Sequence, residues 1–330
     1  MKFLAFMVSL LFLISIPLSI QPSASLSIQP EECALTLEFS YRFNDVVQIR
    51  VVTMDGDKLN FMGQRVDLNY SIEPEIEDNI LNWTLKPGNG TGELLLTYRI
   101  VSERFELKDF SCVLSDIPED IRERFTGKSV LNVGNESIAF IDPLNEKIGE
   151  KAREIVGQDD NVYSMSKKLY RWIVDNVRYN SKAKIYPQSA IETLEKRSGD
   201  CDEQTALFLS MARSLGVPCF YMDGYIIDRK GTYASGHAWS GVIIESENEL
   251  TVFPVDTVYE EFAEKRANKV FVDFDCGVEG YLNNVYNDLK YWHDSQKVPE
   301  IEFVVKCSHY IRSDIPLLYP FLKEKYYGDL

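Results

Sequence analysis

The chain is poor in histidine, with three residues (His237, His293 and His309), and it contains neither a His-x-x-x-His nor a Cys-x-x-Cys pair. Those absences argue against a structural zinc site, which needs clustered nitrogen and sulfur ligands. Basic residues are also scarce, at 35 Lys and Arg against 51 Asp and Glu, for a formal net charge of -16. A surface this acidic repels nucleic acid and anionic lipid, so neither is an expected partner. The excess carboxylates, Asp273 and Asp275 among them, lack EF-hand spacing, and no obligatory metal or other cofactor is expected. Beyond Phe3–Ile20, no apolar run is long enough to span a bilayer. What remains is ample for a core: 45% of the 330 residues are hydrophobic and 12% aromatic, which excludes a disordered chain.

The N-terminus places the protein. Lys2 precedes the apolar run Phe3–Ile20, interrupted by Pro17 and followed by Pro22-Ser23-Ala24-Ser25. A charged start, an apolar middle and small residues describe a secretory signal over residues 1–24. Retained, the same run would be a membrane anchor, the one route by which a membrane becomes a partner. Either way an extracytoplasmic location is expected, where disulfides are allowed. Cys33–Cys112 and Cys276–Cys307 are then the expected bridges, with Cys219 in the apolar stretch Val217–Tyr221 a buried thiol.

Residues 33–115 read as β-rich. Ala34–Phe43 alternates with period two, Val46–Met54 is rich in β-branched residues, and Glu93–Val101 is a further strand, with turn formers at Pro87-Gly88-Asn89-Gly90. A small sandwich-like accessory domain is the expected result. Residues 116–160 read as a connector. From residue 161 the period changes: Val162, Met165, Leu169, Trp172, Ile173 and Val177 form a helical stripe, and Pro187–Lys196 predicts a second helix. Asp200 caps a third that runs to Leu215, with Glu203 completing a capping box and Gly216 and Pro218 ending it. Strands follow at Cys219–Ile227, His237–Ile244 and Leu250–Val255. A core at 161–262 of one buried helix followed by antiparallel strands is an α+β layout. Residues 263–330 form an extension with no functional signal; Val270–Asp273 and Glu302–Val305 suggest strands and Tyr281–Trp292 a helix.

Three residues in the core carry chemistry. Cys201 falls in the first turn of the capped helix, where aligned amides favour a thiolate and lower a thiol pKa. Its backbone N–H suits a developing oxyanion. Taken alone, a cysteine in a helix is more often a small buried apolar residue. His237, in Gly236-His237-Ala238-Trp239, opens a strand and is the leading candidate base; an ordinary strand histidine is the plainer reading. Asp256, in Pro254-Val255-Asp256-Thr257, ends the next strand, where it could accept the Nδ1 proton of His237 and fix the tautomer; strand-end aspartates are common for other reasons.

Taken in order, Ser198-Gly199-Asp200-Cys201-Asp202-Glu203, Leu215-Gly216-Val217-Pro218, Gly224-Tyr225, Gly236-His237-Ala238-Trp239 and Pro254-Val255-Asp256-Thr257 resemble the transglutaminase-like superfamily over about residues 162–262. The resemblance implies a papain-like core and a triad of Cys201 as nucleophile, His237 as base and then acid, and Asp256 as its orienter. It also implies an upstream aromatic near the oxyanion, for which Tyr179 is the nearest match, although core packing is the preferred explanation of that residue. Trp239 either shields the imidazole–carboxylate pair or packs its strand. The implied chemistry opens a peptide or glutamine amide through a thioester on Cys201 and releases it to water, as a protease or amidase does. Transfer to an amine in protein crosslinking, and a catalytically idle scaffold that only binds, are the competing readings.

Overall fold

The computed structural model describes residues 32–311 except 44–46, 53–61, 78–79, 89, 109, 134–135, 182–186, 228–233, 247–248, 278–279, 287–290 and 294–299. The expected signal lies outside the described residues. Within them, no helix is long and apolar enough to cross a membrane.

Six α-helices lie among the described residues: α1 (Glu119–Phe125), α2 (Glu146–Val156), α3 (Val162–Asn176), α4 (Ala190–Lys196), α5 (Cys201–Ser214) and α6 (Tyr281–Tyr286). Local sequence explains their starts. The side chains of Asn145, Asn161, Ser189 and Asp200 each accept an otherwise orphaned N–H at the head of α2, α3, α4 and α5. At Ser189 and Asp200 a glutamate three residues on returns the bond, forming the expected capping box. α5 is buried along nearly its whole length, from Glu203 to Arg213. It packs between α2, α3 and α4 on one side and a five-stranded sheet on the other.

That sheet is antiparallel throughout, in the order Glu261–Phe262, Glu249–Asp256, Ala234–Ser246, Cys219–Ile227, Lys269–Phe274. The three expected strands are its centre. Its outer strand, Lys269–Phe274, comes from the stretch that the sequence leaves without a role. The stretch 116–160, read as a connector, is regular: it holds α1, the hairpin Ser129–Val133/Glu136–Ile141 and α2. Its Phe125, Leu131, Phe140, Ile148, Ala152 and Val156 join the core around α5. The four-residue spacing of Ile148, Ala152 and Val156 is a helical signal diluted by the charged residues between them.

Two further four-stranded sheets contain the N-terminal strands. One runs Glu300–Ile311, Glu32–Phe43, Gly92–Glu103, Gln64–Tyr70; the other Tyr291–His293, Val47–Val52, Ile80–Leu85, Glu75–Glu77. Buried residues alternate along Gly92–Glu103, as one solvated and one packed face require. The inner residues Tyr41, Leu94, Leu96 and Tyr98 of one sheet and Ile49, Leu81 and Trp83 of the other share a core, giving the expected sandwich. The same core takes Tyr225, Ile227, Val270 and Val272 from the five-stranded sheet. Of the helix expected over Tyr281–Trp292, Tyr281–Tyr286 is helical, 287–290 lie outside the described residues, and Tyr291–His293 is a strand. Cys112 is a thiol, so the expected Cys33–Cys112 disulfide does not form; Cys112 and Cys219 are buried, the latter as expected, and the expected Cys276–Cys307 bridge involves a side chain outside the described residues.

One glycine is decisive for the site. Gly224 is the partner of His237 on one side and of Phe271 on the other, beside an irregularity in register. A Cβ there would lie 2.0 Å from the Val270 carbonyl oxygen and 2.6 Å from Phe271 Cα, both backbone atoms. Gly224→Ala therefore forces the outer strand away and should cost about 1–3 kcal/mol or more. Thermal unfolding of the variant checks this; an unchanged midpoint would contradict the tight approach.

Candidate active site

α5 and the five-stranded sheet bring the sequence-selected residues to one place. Cys201 is the first residue of α5, an N1 position whose N–H has no acceptor inside the helix. Gly199, just before it, approaches Glu203 so closely that a Cβ would sit 2.9 Å from the glutamate's own Cβ. Glu203 is buried at 2% exposure, accepting the Asp200 N–H at 3.0 Å and the Gln188 N–H at 3.0 Å. The turn that presents Cys201 is thus fixed from beneath.

His237 and Asp256 lie on adjacent strands, and the His237 Nε2 to Asp256 Oδ2 distance is 2.7 Å, with both side chains buried. The nitrogen is Nε2, where the sequence reading expected Nδ1. Asp256 therefore leaves Nδ1 for a partner on the opposite side of the ring. The other carboxylate oxygen, Oδ1, accepts the backbone N–H of Val258 and of Tyr259, each at 3.0 Å. The imidazole is held between rings. Trp239 is stacked on it, with centroids 5.7 Å apart and planes 23° apart, and Tyr259 meets it edge-on at 4.8 Å. Trp239 is wholly buried, so it packs its strand, and its ring lies over the imidazole.

Cys201 lies by the same strand, where the Ala238 N–H, one residue from His237, gives its thiolate a small favourable effect. Thr205, one turn along α5, donates to the Ala238 carbonyl at 3.3 Å, which clamps helix to strand. The thiol itself donates to Asp202 Oδ1 at 3.4 Å, an oxygen that also accepts the Tyr221 hydroxyl at 3.0 Å. Among the described residues, no hydrogen bond joins the sulfur to the His237 ring.

The electrostatics correct a second expectation. Burial, then the charges of Asp202 and Asp200, push the Cys201 thiol well above its ordinary pKa, against the smaller opposing effect of the Ala238 N–H. The helix terminus favours a thiolate, whereas burial and the carboxylates on both sides of the cysteine disfavour it. Asp202 is itself pushed up to about 7, by burial and by the charges of Asp200 and Asp223. Asp256 goes the other way. Burial alone would raise it, yet the His237 and Lys269 charges and their hydrogen bonds hold it far below the carboxylate range.

Tyr179 is 44% exposed, which rules out the core-packing reading. It pairs in parallel with Gly199, on the chain that leads into Cys201. His293 and His309 lie in strands of the sandwich sheets, away from this one. Asp200, Cys201 and Asp202 bring three potential ligand atoms within 4.8 Å of one another. Asp200 is committed to the helix cap and Asp202 to Tyr221 and the thiol, so the trio is better explained by those bonds than by a metal.

Sequence reasoning missed Asp202, Tyr221, Tyr259 and above all Lys269. Lys269 is 2% exposed, and its ammonium bonds Asp256 Oδ2 and Glu261 Oε2. The available signal was a lysine opening the run Lys-Val-Phe-Val in a strand that is buried throughout.

Residues 149–256 match the family model of the transglutaminase-like superfamily, which bears out the resemblance found in the sequence. A search of curated proteins gives no match. Among solved structures, a candidate cysteine protease from Cytophaga hutchinsonii is similar over 87% of this chain and 93% of its own, with 16% identity and a TM-score of 0.52. The periplasmic domain of TgpA from Pseudomonas aeruginosa is similar over 68% of this chain and 88% of its own, at 12% identity and a TM-score of 0.36. Red sea bream transglutaminase is similar over 74% of this chain and 50% of its own, at 11% identity and a TM-score of 0.33. The first of these shares the fold.

Proposed function

From residues 149–256, transglutaminase-like in sequence and set in a papain-like α+β core, we propose that this chain is an exported thiol enzyme that opens amides through a thioester on Cys201. The observation that carries the reading is the buried His237–Asp256 pair, one residue from Ala238, to whose carbonyl the helix headed by Cys201 is bonded through Thr205.

On this reading the resting thiol is neutral and parked on Asp202. A bound amide draws it off by rotation about χ1, toward Nδ1 of His237. The S–C bond forms as the Sγ proton passes to the imidazole, so no free thiolate accumulates. The Cys201 N–H, and in the family's manner Tyr179, face the oxyanion. His237 returns the proton to the departing amine or ammonia as the C–N bond breaks. Water then attacks the thioester, giving a carboxylic acid and restoring the thiol. Water needs no acceptor pocket, which favours hydrolysis of a peptide or glutamine amide over crosslinking. The N-terminal signal over residues 1–24 supports an extracytoplasmic site of action.

The thiol's bond to Asp202 favours a second reading, a scaffold whose cysteine stays idle. Mass spectrometry of acid-quenched mixtures with a glutamine-rich protein, with and without a fluorescent amine, separates the two. Acylated Cys201, with released ammonia or new chain ends, is the expected result. Incorporated label would reassign the enzyme to transfer. An unmodified Cys201 at every pH where the fold persists would leave the scaffold standing.

A further inference from the structure

The Lys269 ammonium shares one carboxylate oxygen, Asp256 Oδ2, with His237 Nε2. Its second anion, Glu261, pairs in turn with Arg266 at 2.7 Å. The ammonium also lies 5.7 Å from the centre of the Trp239 ring and 5.1 Å from that of Tyr259, the two rings that flank the imidazole. Burying an ammonium is expensive and is tolerated where it is paired. Holding Asp256 in place does not demand it, since the Val258 and Tyr259 amides already fix Oδ1.

A lone buried carboxylate on Nε2 favours the imidazolium, and a cation on the same oxygen opposes it. We propose that Lys269 is a positioning residue that sets the acidity of His237: it keeps Asp256 ionised and in one orientation while preventing that carboxylate from holding the imidazole protonated. A neutral imidazole is what a protonated thiol requires of its base, so the catalytic consequence rests on the function proposed above.

The elements packed around His237 carry Cys201, Asp202 and Asp200 at the head of α5, Asp223 and Tyr225 on either side of Gly224 in the adjacent strand, and Tyr170 on α3 near Asp256. Glu260, Glu261 and Arg266 stand behind Asp256. Lys269 is the cation bonded to the group that orients the imidazole.

The test is an NMR titration of the His237 ring, assigned by its loss in His237→Asn, together with the pH profile of kcat/KM. Lys269→Met should raise the His237 midpoint by about one pH unit or more, the usual size of a close charge effect. The acid limb of kcat/KM should move with it. Lys269→Arg should restore both, and Glu261→Gln should move the midpoint down. Should Lys269→Met not fold, Lys269→Met with Glu261→Gln removes a buried cation and its anion together; the midpoint should still rise, because the ammonium is the closer of the two to the ring. An unmoved midpoint in the folded variants overturns the proposal and leaves the enzymatic reading intact. A shifted midpoint in a protein that never acylates Cys201 sustains the role of Lys269 and removes the enzymatic reading.

Discussion

Cys201→Ala should lower turnover by at least about 10⁴-fold, with no acylated protein detectable in quenched mixtures. The sulfur supplies the one bond to substrate that the proposed mechanism makes, and no other described cysteine can replace it: Cys112, Cys219 and Cys276 are all buried, and none stands at the head of α5. His237→Ala should cost about as much, and combining the two should add little, because residues that act as one unit lose their effect together. Folding should survive Cys201→Ala. The side chain is small and half-buried, and it makes a weak S–H donation to Asp202. A thermal midpoint near wild type with activity lost therefore separates chemistry from structure. Retention of a tenth of the activity would remove Cys201 from the reaction.

The parts of this arrangement that the sequence discloses are those set by neighbours along the chain. Asp200 and Glu203 are three residues apart, so their reciprocal cap was readable, and with it the position of Cys201 at a helix head. The strands bearing His237 and Asp256 follow each other, so their adjacency was readable from order alone. What escaped depends on the far edge of the sheet. Lys269–Phe274 passes the intervening strands to pair with Cys219–Ile227, and periodicity encodes no such crossover. The acidity of the thiol escaped for a related reason. Asp200 and Asp202 were visible beside Cys201, but the desolvation of the thiol itself was not, and it is the largest cause of the raised pKa, ahead of the two carboxylate charges. The ring nitrogen on Asp256 likewise depends on how Trp239 and Tyr259 hold the imidazole, and Tyr259 lies past the end of the strand on which the expectation was built.

Asp256→Asn should reduce turnover by about 10⁴-fold, as loss of the orienting carboxylate does in a triad, and it should also destabilise the fold. The two losses have different causes. The first follows from the tautomer: an amide donor against Nε2 reverses the polarity of the bond that leaves Nδ1 ready to take a proton. The second follows from Lys269, whose buried ammonium keeps only Glu261 as an anion; breaking such a pair costs about 3–5 kcal/mol. The two are separable. Adding Lys269→Met to Asp256→Asn should recover much of the lost stability, since it removes the stranded charge, and should recover none of the activity. Denaturant titration of the four proteins in this cycle gives the coupling directly. The pH dependence carries the same sign. Because Asp256 is held below its unfolded pKa, its contribution is complete above the ordinary carboxylate pKa of about 3.9 and is lost progressively as pH falls beneath it. Wild type should therefore lose stability more steeply than Asp256→Asn below about pH 4. Parallel acid-unfolding curves, or an Asp256→Asn enzyme within tenfold of wild type, would mean that the carboxylate neither anchors the lysine nor governs the histidine.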